Sequence, residues 1–531
     1  MSATRTPNGT VTLIAAGPGD AQLLSIRAVR ALSSATYVMA DHDVVDIAKK
    51  FVGQEIEIIA AVDGEGLPLE HAARAKAVVE AAKAGHDVAR ILSGDPVLDG
   101  AFAREVASLN KSKINFEYVP CVSTITGVAG FAGIGLTANK SHEIRIVDAN
   151  NSDINWADHV ANHVTLTILN GADKAVEISK ALIKAGRDGA SPTMLTRDGS
   201  TVDQRSVIST LEEIPAAVKN SRHVGSGLMV IGEPVAKRST LSWFEAKPLF
   251  GWRILIPKTK DALHDAILEL ESLGATVTEV PTVSVEQPRT PQQMERAIHG
   301  LVSGRYEWII FTSHNAVKAV WEKCHEYGLD ARAFAGLKIA TTGEGTAAEL
   351  AKYGIRPDMA LAEHLSTADL LDDFPEFDEI LDPINRIFLP RADIATESLA
   401  AGLIELGWEV DDVTAYRTVR AAPPAVEIRD AIKSGGFDAV LFTSSSTVRN
   451  LVGIAGKPHT ATVIACIGPQ TAKTCEEHGL RVDVLASDPA VDSLIQDLAN
   501  HGANLREAAI EQGETSWRPS RRRTAVRRKV T

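Results

Sequence analysis

FTSHNAV at residues 311–317 returns as FTSSSTV at residues 442–448. Each copy follows an apolar run, 308–310 in the first and 439–441 in the second, and each precedes a stretch that reads as helix. Thr and Ser therefore stand where a buried strand passes into a helix. Downstream, TTGEGTA (341–347) is matched by CIGPQTA (466–472), and Gly343 and Gly468 are followed equally far on by Gly354 and Gly479. Upstream, RILIPKT (253–259) is echoed by RIFLPRA (386–392), with the same 17-residue interval from Pro257 to Gly274 and from Pro390 to Gly407. The order A, B, A′, B′ of strand–turn–helix units predicts two similar α/β lobes. Two lobes make a cleft, and strand-end hydroxyls with glycine turns are where an open α/β sheet binds anions.

Composition sets the frame around this repeat. A chain of 531 residues is too long for one domain, and three or four is the expectation. With 45% hydrophobic and 23% charged residues it has the balance of a soluble globular protein. No apolar run approaches the roughly 20 residues that span a bilayer, and MSATRTPNGT at the start lacks a signal-peptide layout. The expected location is cytoplasmic, without a membrane partner. Cys121, Cys324, Cys466 and Cys475 are scattered with no CxxC, and the 15 histidines show no ligand pair, so no metal is expected. Residues 515–531 hold seven basic side chains and no acid; removing them from the formal −13 leaves a body at −20. Such a surface argues against nucleic acid as a partner, and the basic end reads as a solvated, disordered tail.

The first half carries its own series of strand ends. An apolar strand at 11–16 runs into GPGD (17–20) and a helix-like stretch at 23–32. Further apolar strands end on Asp41, on SGDP (93–96) and on PCVST (120–124), the last leading into TGVAGFAGIGLT (126–137). Strand ends rich in Gly, Pro, Asp and Ser on one side of a sheet form a pocket edge where backbone approaches a ligand closely.

In order, GPGD with LLS (23–25), the Asp41 strand end, SGDP, the Pro120 turn and GIGLT resemble the tetrapyrrole methylases, most closely the uroporphyrinogen-III C-methyltransferases. LTILNG (166–171), TRDGST (196–201) with Gln204, and MVIGEPV (229–235) continue the likeness, which covers about residues 11–236. The resemblance implies S-adenosylmethionine held between two α/β lobes. Pro18, Ser93, Gly94, Asp95, Leu98, Ser123, Thr124, Asn170 and Gly199 would line its site, and Asp41 would be the general base. It also implies pairing into a homodimer through this half. The chain departs from the family pattern at several points. Ser93 replaces a glycine, VLDGAF (97–102) replaces an aromatic and glycine-rich run, and LTANK (136–140) stands for LTHR. AAVDGEG (60–66) lacks an expected lysine, and Asn170 stands for methionine. Two readings of this half therefore stay open, an active methylase and a degenerate domain that binds without methylating.

FTSHNAV, TTGEGTA, LPRADIATESL (389–399), TAYRT (414–418), FTSSSTV and CIGPQTA together resemble uroporphyrinogen-III synthase over about residues 252–502. The implied fold class is α/β throughout: a two-lobed methylase-like domain at 1–236, a linker at 237–251 and a two-lobed synthase-like module at 252–502. Lobe one would be 252–285 plus 419–502, lobe two 286–418, and 503–531 the disordered basic tail. The implied substrate, hydroxymethylbilane, is a linear tetrapyrrole with eight carboxylates that is dehydrated and closed with inversion of ring D, without a cofactor. Tyr416 would assist loss of the hydroxyl, since a phenol donates without being ionised. Thr312, Ser313, Asn315, Gly343, Thr346, Arg391, Thr443, Ser444, Ser445, Gly468 and Thr471 are the cleft candidates, with Lys258 equivalent to Arg391 in the repeat. Any one Thr or Ser is equally an ordinary helix cap.

Overall fold

A computed structural model describes residues 8–221, 227–258, 263–361, 367–395, 397–513 and 517–521. These divide into two compact units. The first is drawn from Met1–Arg253, Ala266–Val277 and Leu498–Arg518, the second from Ile254–Asp265, Thr278–Asp497 and Pro519–Thr531.

The first unit begins with five parallel strands, β1 (Val11–Ala15), β2 (Tyr37–Ala40), β3 (Ile58–Ala60), β4 (Val88–Leu92) and β5 (Phe116–Val119), in the order β3-β2-β4-β1-β5. Parallel strands are covered on both faces and read as unbroken apolar runs. In β4 the run is interrupted by Arg90, which is nevertheless fully buried. A second sheet holds β6 (Glu143–Asp148), β7 (Val164–Leu169), β8 (Pro192–Arg197), β9 (Arg205–Thr210) and β10 (Leu228–Ile231), in the order β6-β7-β10-β8-β9. Only β6 and β7 run parallel there. Ile125, Val128 and Ala129 of the helix Thr124–Phe131 share one core cluster with Met194 and Val230 of this sheet.

The remaining strands are β11 (Arg253–Lys258), β12 (Thr276–Pro281), β13 (Val283–Glu286), β14 (Trp308–Phe311), β15 (Lys338–Thr342), β16 (Met359–Leu361) and β17 (Arg386–Ala392). After them come β18 (Glu409–Arg420), β19 (Ala439–Phe442), β20 (Val463–Cys466) and β21 (Val484–Leu485). They form two sheets, β12-β11-β19-β20-β21 and β13-β18-β17-β14-β15-β16. The repeat is visible in this order: β11 lies beside β19 and β17 beside β14, so each sheet pairs one A-type with one B-type strand. The long β18 also pairs antiparallel with β13, giving the two-stranded connection between lobes.

Two expectations need correction. The stretch expected as a linker at 237–251 starts with the helix Arg238–Leu241, and Phe244, Leu249 and Phe250 are buried. Phe244 meets Phe131 edge to face at 4.8 Å. A side chain on Gly274 would come within 2.9 Å of the Phe250 backbone, and one on Gly502 within 2.9 Å of the Pro248 carbonyl. Residues 266–277 and 498–513 therefore pack with the first unit, although lobe one was expected to hold 266–277 and the helix as far as 502. The tail expected from 503 is also partly structured. The helix Val491–Glu511 runs past that point, burying Ala509. Arg506 donates to the Ala246 carbonyl at 2.5 Å and lies 5.2 Å over the Trp517 ring, while the buried Arg518 donates to the Gly251 carbonyl. Charge count alone missed these anchors because they are carbonyls and a ring. Residues 522–531, like Thr259 and Thr396 of the repeat motifs, lie outside the described residues.

Candidate active site

In the first unit the GPGD turn is stitched to its neighbours by backbone. Gly17 donates to the Gly94 carbonyl at 2.9 Å, joining the ends of β1 and β4. The Asp20 amide donates to Ser200 Oγ at 3.0 Å, joining the same turn to the loop after β8. Gly199 is fitted tightly there, since a Cβ would meet a Val128 methyl at 2.5 Å. Pro18 touches Gly127 of the same helix, and Leu98 packs into that helix's cluster. Gly94 has φ +60, with Thr124 the nearest side chain to its missing Cβ at 3.8 Å. Pro18, Gly94, Leu98, Thr124 and Gly199 are thus brought together. Ser123 opens the helix Thr124–Phe131 without a side-chain cap, leaving its first amides free for another acceptor. Asn170, at φ +55, donates to Asp148 Oδ1 at 3.0 Å at the end of β6. Ser93 Oγ is spent on Asp43. Beside Asp95, the Cys121 thiol is pushed up to about 11, first by burial and then by that carboxylate.

Asp41, the expected general base, is engaged through both oxygens. Its Oδ1 takes Arg90 Nη2 at 2.5 Å and Arg74 Nη1 at 3.1 Å, and its Oδ2 takes the Ser93 amide at 3.0 Å. Burial by itself would raise its pKa, but Arg90, the Ser93 amide and Arg74 outweigh burial and hold the carboxyl below the usual aspartate value. The expected general base is thus a carboxylate whose oxygens already hold three donors, and accepting a proton would require it to release one of them. Arg90 also faces Glu105 at 3.5 Å, which is 2% exposed. Arg74, Arg90 and Glu105 were missed by sequence reasoning. The available signal was an arginine inside the otherwise apolar VARIL of β4.

In the second unit the doubled motif folds alike in both copies. Ser313 (φ −162, ψ 152) caps the helix His314–Glu326 by accepting from the Ala316 amide. Ser444 (φ −168, ψ 160) caps the helix Ser445–Ala455 through Thr447. The copies differ in what else the cap holds. Ser313 Oγ lies 2.9 Å from the Tyr416 hydroxyl, whereas Ser444 Oγ lies 2.9 Å from Ser446. Tyr416, 7% exposed, borders a cavity of about 270 Å³ together with Asn315, Lys318 and Glu286.

The other candidates separate by what occupies them. Gly343 and Gly468 have nothing within 4 Å of a would-be Cβ, so the space before both helix starts is open. Thr312 and Thr443 are half-buried at the strand ends. Thr346 and Thr471 are buried in their helices' first turns and face inward. Ser445 donates to the Gln470 carbonyl at 3.1 Å and accepts from Thr474 at 2.9 Å, which ties two helices together. Arg391 is gripped through Nε and Nη2 by the Asp412 carboxylate, Nε at 2.5 Å. Lys258 pairs with Glu279 at 3.1 Å.

Residues 264–496 match the family Uroporphyrinogen-III synthase HemD, and residues 10–215 match the Tetrapyrrole (Corrin/Porphyrin) Methylases. The chain therefore joins a tetrapyrrole methylase region to a uroporphyrinogen-III synthase region. It is 26% identical over 508 residues to the porphyrin biosynthesis protein HemD of Ruminiclostridium josui, covering 93% of this chain and 98% of that one. It is 34% identical over 247 residues to the siroheme synthase of Azotobacter vinelandii, covering 45% of this chain but only 53% of that protein. Among solved structures, a uroporphyrin-III C-methyltransferase from Thermus thermophilus complexed with S-adenosyl homocysteine is 27% identical, with a TM-score of 0.36, covering 43% of this chain and 93% of that one. Among the described residues no helix is long and apolar enough to cross a membrane.

Proposed function

We propose that the second unit converts hydroxymethylbilane to uroporphyrinogen III and that the first unit methylates that product towards precorrin-2 with S-adenosylmethionine. The observation that carries the synthase step is the Tyr416 hydroxyl, 2.9 Å from a helix-capping serine and beside an open cavity. Ser313 orients the phenol, which donates to the departing hydroxyl. Closure then needs the ends of a flexible polyanion held together, a matter of positioning. Open amides at the helix starts after Gly343 and Gly468 suit carboxylates. The reaction is redox-neutral, so this unit needs no cofactor.

The methylase site fits its donor on two counts: Gly94 leaves backbone open in front of Thr124, and the uncapped start of the helix Thr124–Phe131 offers amides. S-adenosylmethionine supplies a methyl group already activated by its sulfonium. The residues Pro18, Gly94, Asp95, Leu98, Ser123, Thr124, Asn170 and Gly199 would hold it, while Asp41 holds Arg90 and Arg74. Incubating the whole chain with hydroxymethylbilane, with and without S-adenosylmethionine, tests both steps through product isomer and mass. Only the non-inverted isomer would end the synthase reading. The occupied state of Asp41 favours one alternative, a first unit that binds without methylating; donor binding in calorimetry with no mass gain would select it. Dimerisation through the first unit belongs to the same reading, and exposed Ile144 and Ile146 on the edge strand β6 support it. Sedimentation at micromolar concentration decides that point.

A further inference from the structure

The structure assigns Glu105, on the helix Ala101–Lys111, a positioning role in methyl transfer: it takes over Arg90 when Asp41, acting as base, accepts a proton. This rests on the methylase reading above, with Asp41 in the role that the family resemblance implies. Alternation along the strands puts these groups together. Arg90 shares a face of the first sheet with Val88 and Leu92, and Asp41 continues the face of Met39. The helices His71–Lys83 and Ala101–Lys111 cover that face, with Val78, Ala82 and Leu109 in the same core cluster. Asp41, Arg74, Arg90 and Glu105 therefore meet at the end of β2.

Asp41 Oδ1 holds Arg90 Nη2 at 2.5 Å and Arg74 Nη1 at 3.1 Å, and Oδ2 holds the Ser93 amide. One of these donors must withdraw before a proton can sit on the carboxylate. The Arg74 side chain is 22% exposed, so water can replace its partner. Arg90 has no such recourse, being fully buried and unable to shed its proton. Its Nη1 is committed to the Ile91 carbonyl at 2.6 Å, and its Nε has no hydrogen-bond partner among the described residues. A buried charge stripped of its counter-charge is strongly unfavourable. Glu105, itself buried, places Oε1 at 3.5 Å from the same Nη2. That is too long for a good hydrogen bond, but a shift of about 0.5 Å makes one. A pair of carboxylates serving stability alone would divide the guanidinium between them. Here both converge on Nη2 while Nε goes unpartnered, which makes them alternatives. His71 Nδ1 lies 3.8 Å from Oε1, and its Nε2 lies 3.3 Å from Ser108 Oγ, so Glu105 is held at its own end while Arg90 moves. Burial favours the neutral form of Asp41, and Arg90 is foremost among the groups that oppose it. Moving Arg90 is therefore what most frees Asp41 to take a proton.

In the transfer, a substituted pyrrole carbon bonds to the methyl carbon as the sulfur–methyl bond breaks, and the positive charge of the sulfonium passes to the macrocycle. A proton then leaves a ring nitrogen or a bridging carbon for Asp41 Oδ1, and Asp41 becomes a neutral acid. Arg90 passes from that oxygen to Glu105, so the interior keeps a neutral pair. Loss of the proton from Asp41 to water returns Arg90.

Two variants of the full chain test this. Asp41→Asn mimics the protonated acid, and its crystal structure should show Arg90 Nη2 within about 3.0 Å of Glu105. Arg90 still seated on position 41, with Glu105 no nearer, would overturn the handover whether or not the chain methylates. Glu105→Gln keeps the shape and removes the charge. With uroporphyrinogen III and S-adenosylmethionine it should lower kcat by about 10-fold or more, with KM and the calorimetric Kd for S-adenosylmethionine within about twofold. The solvent deuterium isotope effect on kcat should rise, because proton acceptance has become the slow step, and Glu105→Asp should restore part of the rate. A kcat for Glu105→Gln within about twofold of the original, or a fall with the isotope effect unmoved, would sink the positioning role alone. Absence of methylation by the unaltered chain would sink the methylase reading and the role with it. Either variant decides the matter if the other fails to fold.

Discussion

At Tyr416 one oxygen separates chemistry from packing. Tyr416→Phe keeps the ring in its core cluster and removes only the hydroxyl that meets Ser313. The expected result is a loss of synthase kcat of about 100-fold or more, with a melting temperature that barely moves. An unchanged kcat would make the phenol structural. Asp41 gives a pH prediction. Its folded pKa lies below the unfolded value, so its stabilisation is complete above about pH 4 and is lost as pH falls through the folded pKa. Asp41→Asn should destabilise the first unit at neutral pH by about 3 kcal/mol, because two guanidiniums lose their carboxylate. The loss should shrink in acid, which denaturant titrations at pH 7 and pH 3 would register. The sequence placed Asp41 at a strand end but was silent on its partners. Arg74, Arg90 and Glu105 come from a helix, a strand and another helix, and only tertiary packing brings them together.

Among the elements, the doubled strand–turn–helix unit was the most legible because its signals are local. An apolar run, a Ser or Thr cap and a helix lie within a dozen residues of each other, and Ser313 and Ser444 adopt nearly the same backbone angles. Equivalence in sequence does not extend to every turn. Gly343 has φ +78, whereas Gly468 has φ −175 and is ordinary extended backbone. Gly343→Ala should therefore cost about 1–3 kcal/mol, and Gly468→Ala should stay within about 0.5 kcal/mol; equal costs in urea denaturation would contradict the difference. Gly199→Ala is a packing test in the other unit. A methyl group there overlaps Val128, so the loop must withdraw and donor binding should weaken by about tenfold or more in calorimetry.

The whole chain was least legible where its segments cross. Residues 237–251 show no periodicity, and nothing local reveals that Phe244, Leu249 and Phe250 are core residues. The basic end invited a reading by charge, yet Arg506 and Arg518 bond to carbonyls of that same stretch. Deleting residues 503–531 should lower the melting temperature of the first unit by about 4 °C or more, since buried contacts are worth a few kcal/mol in a domain this size. Calorimetry showing no change would restore the picture of a free tail.

Leu498–Arg518 completes a unit that opens at the other terminus of the chain. A ribosome delivering residues in order cannot hand over that closing piece until everything through Asp497 has been made. The early half must then wait in an unfinished form, its aromatic seam bare, while the later half is translated. Until that piece arrives, the nascent chain offers this seam to chaperones and proteases.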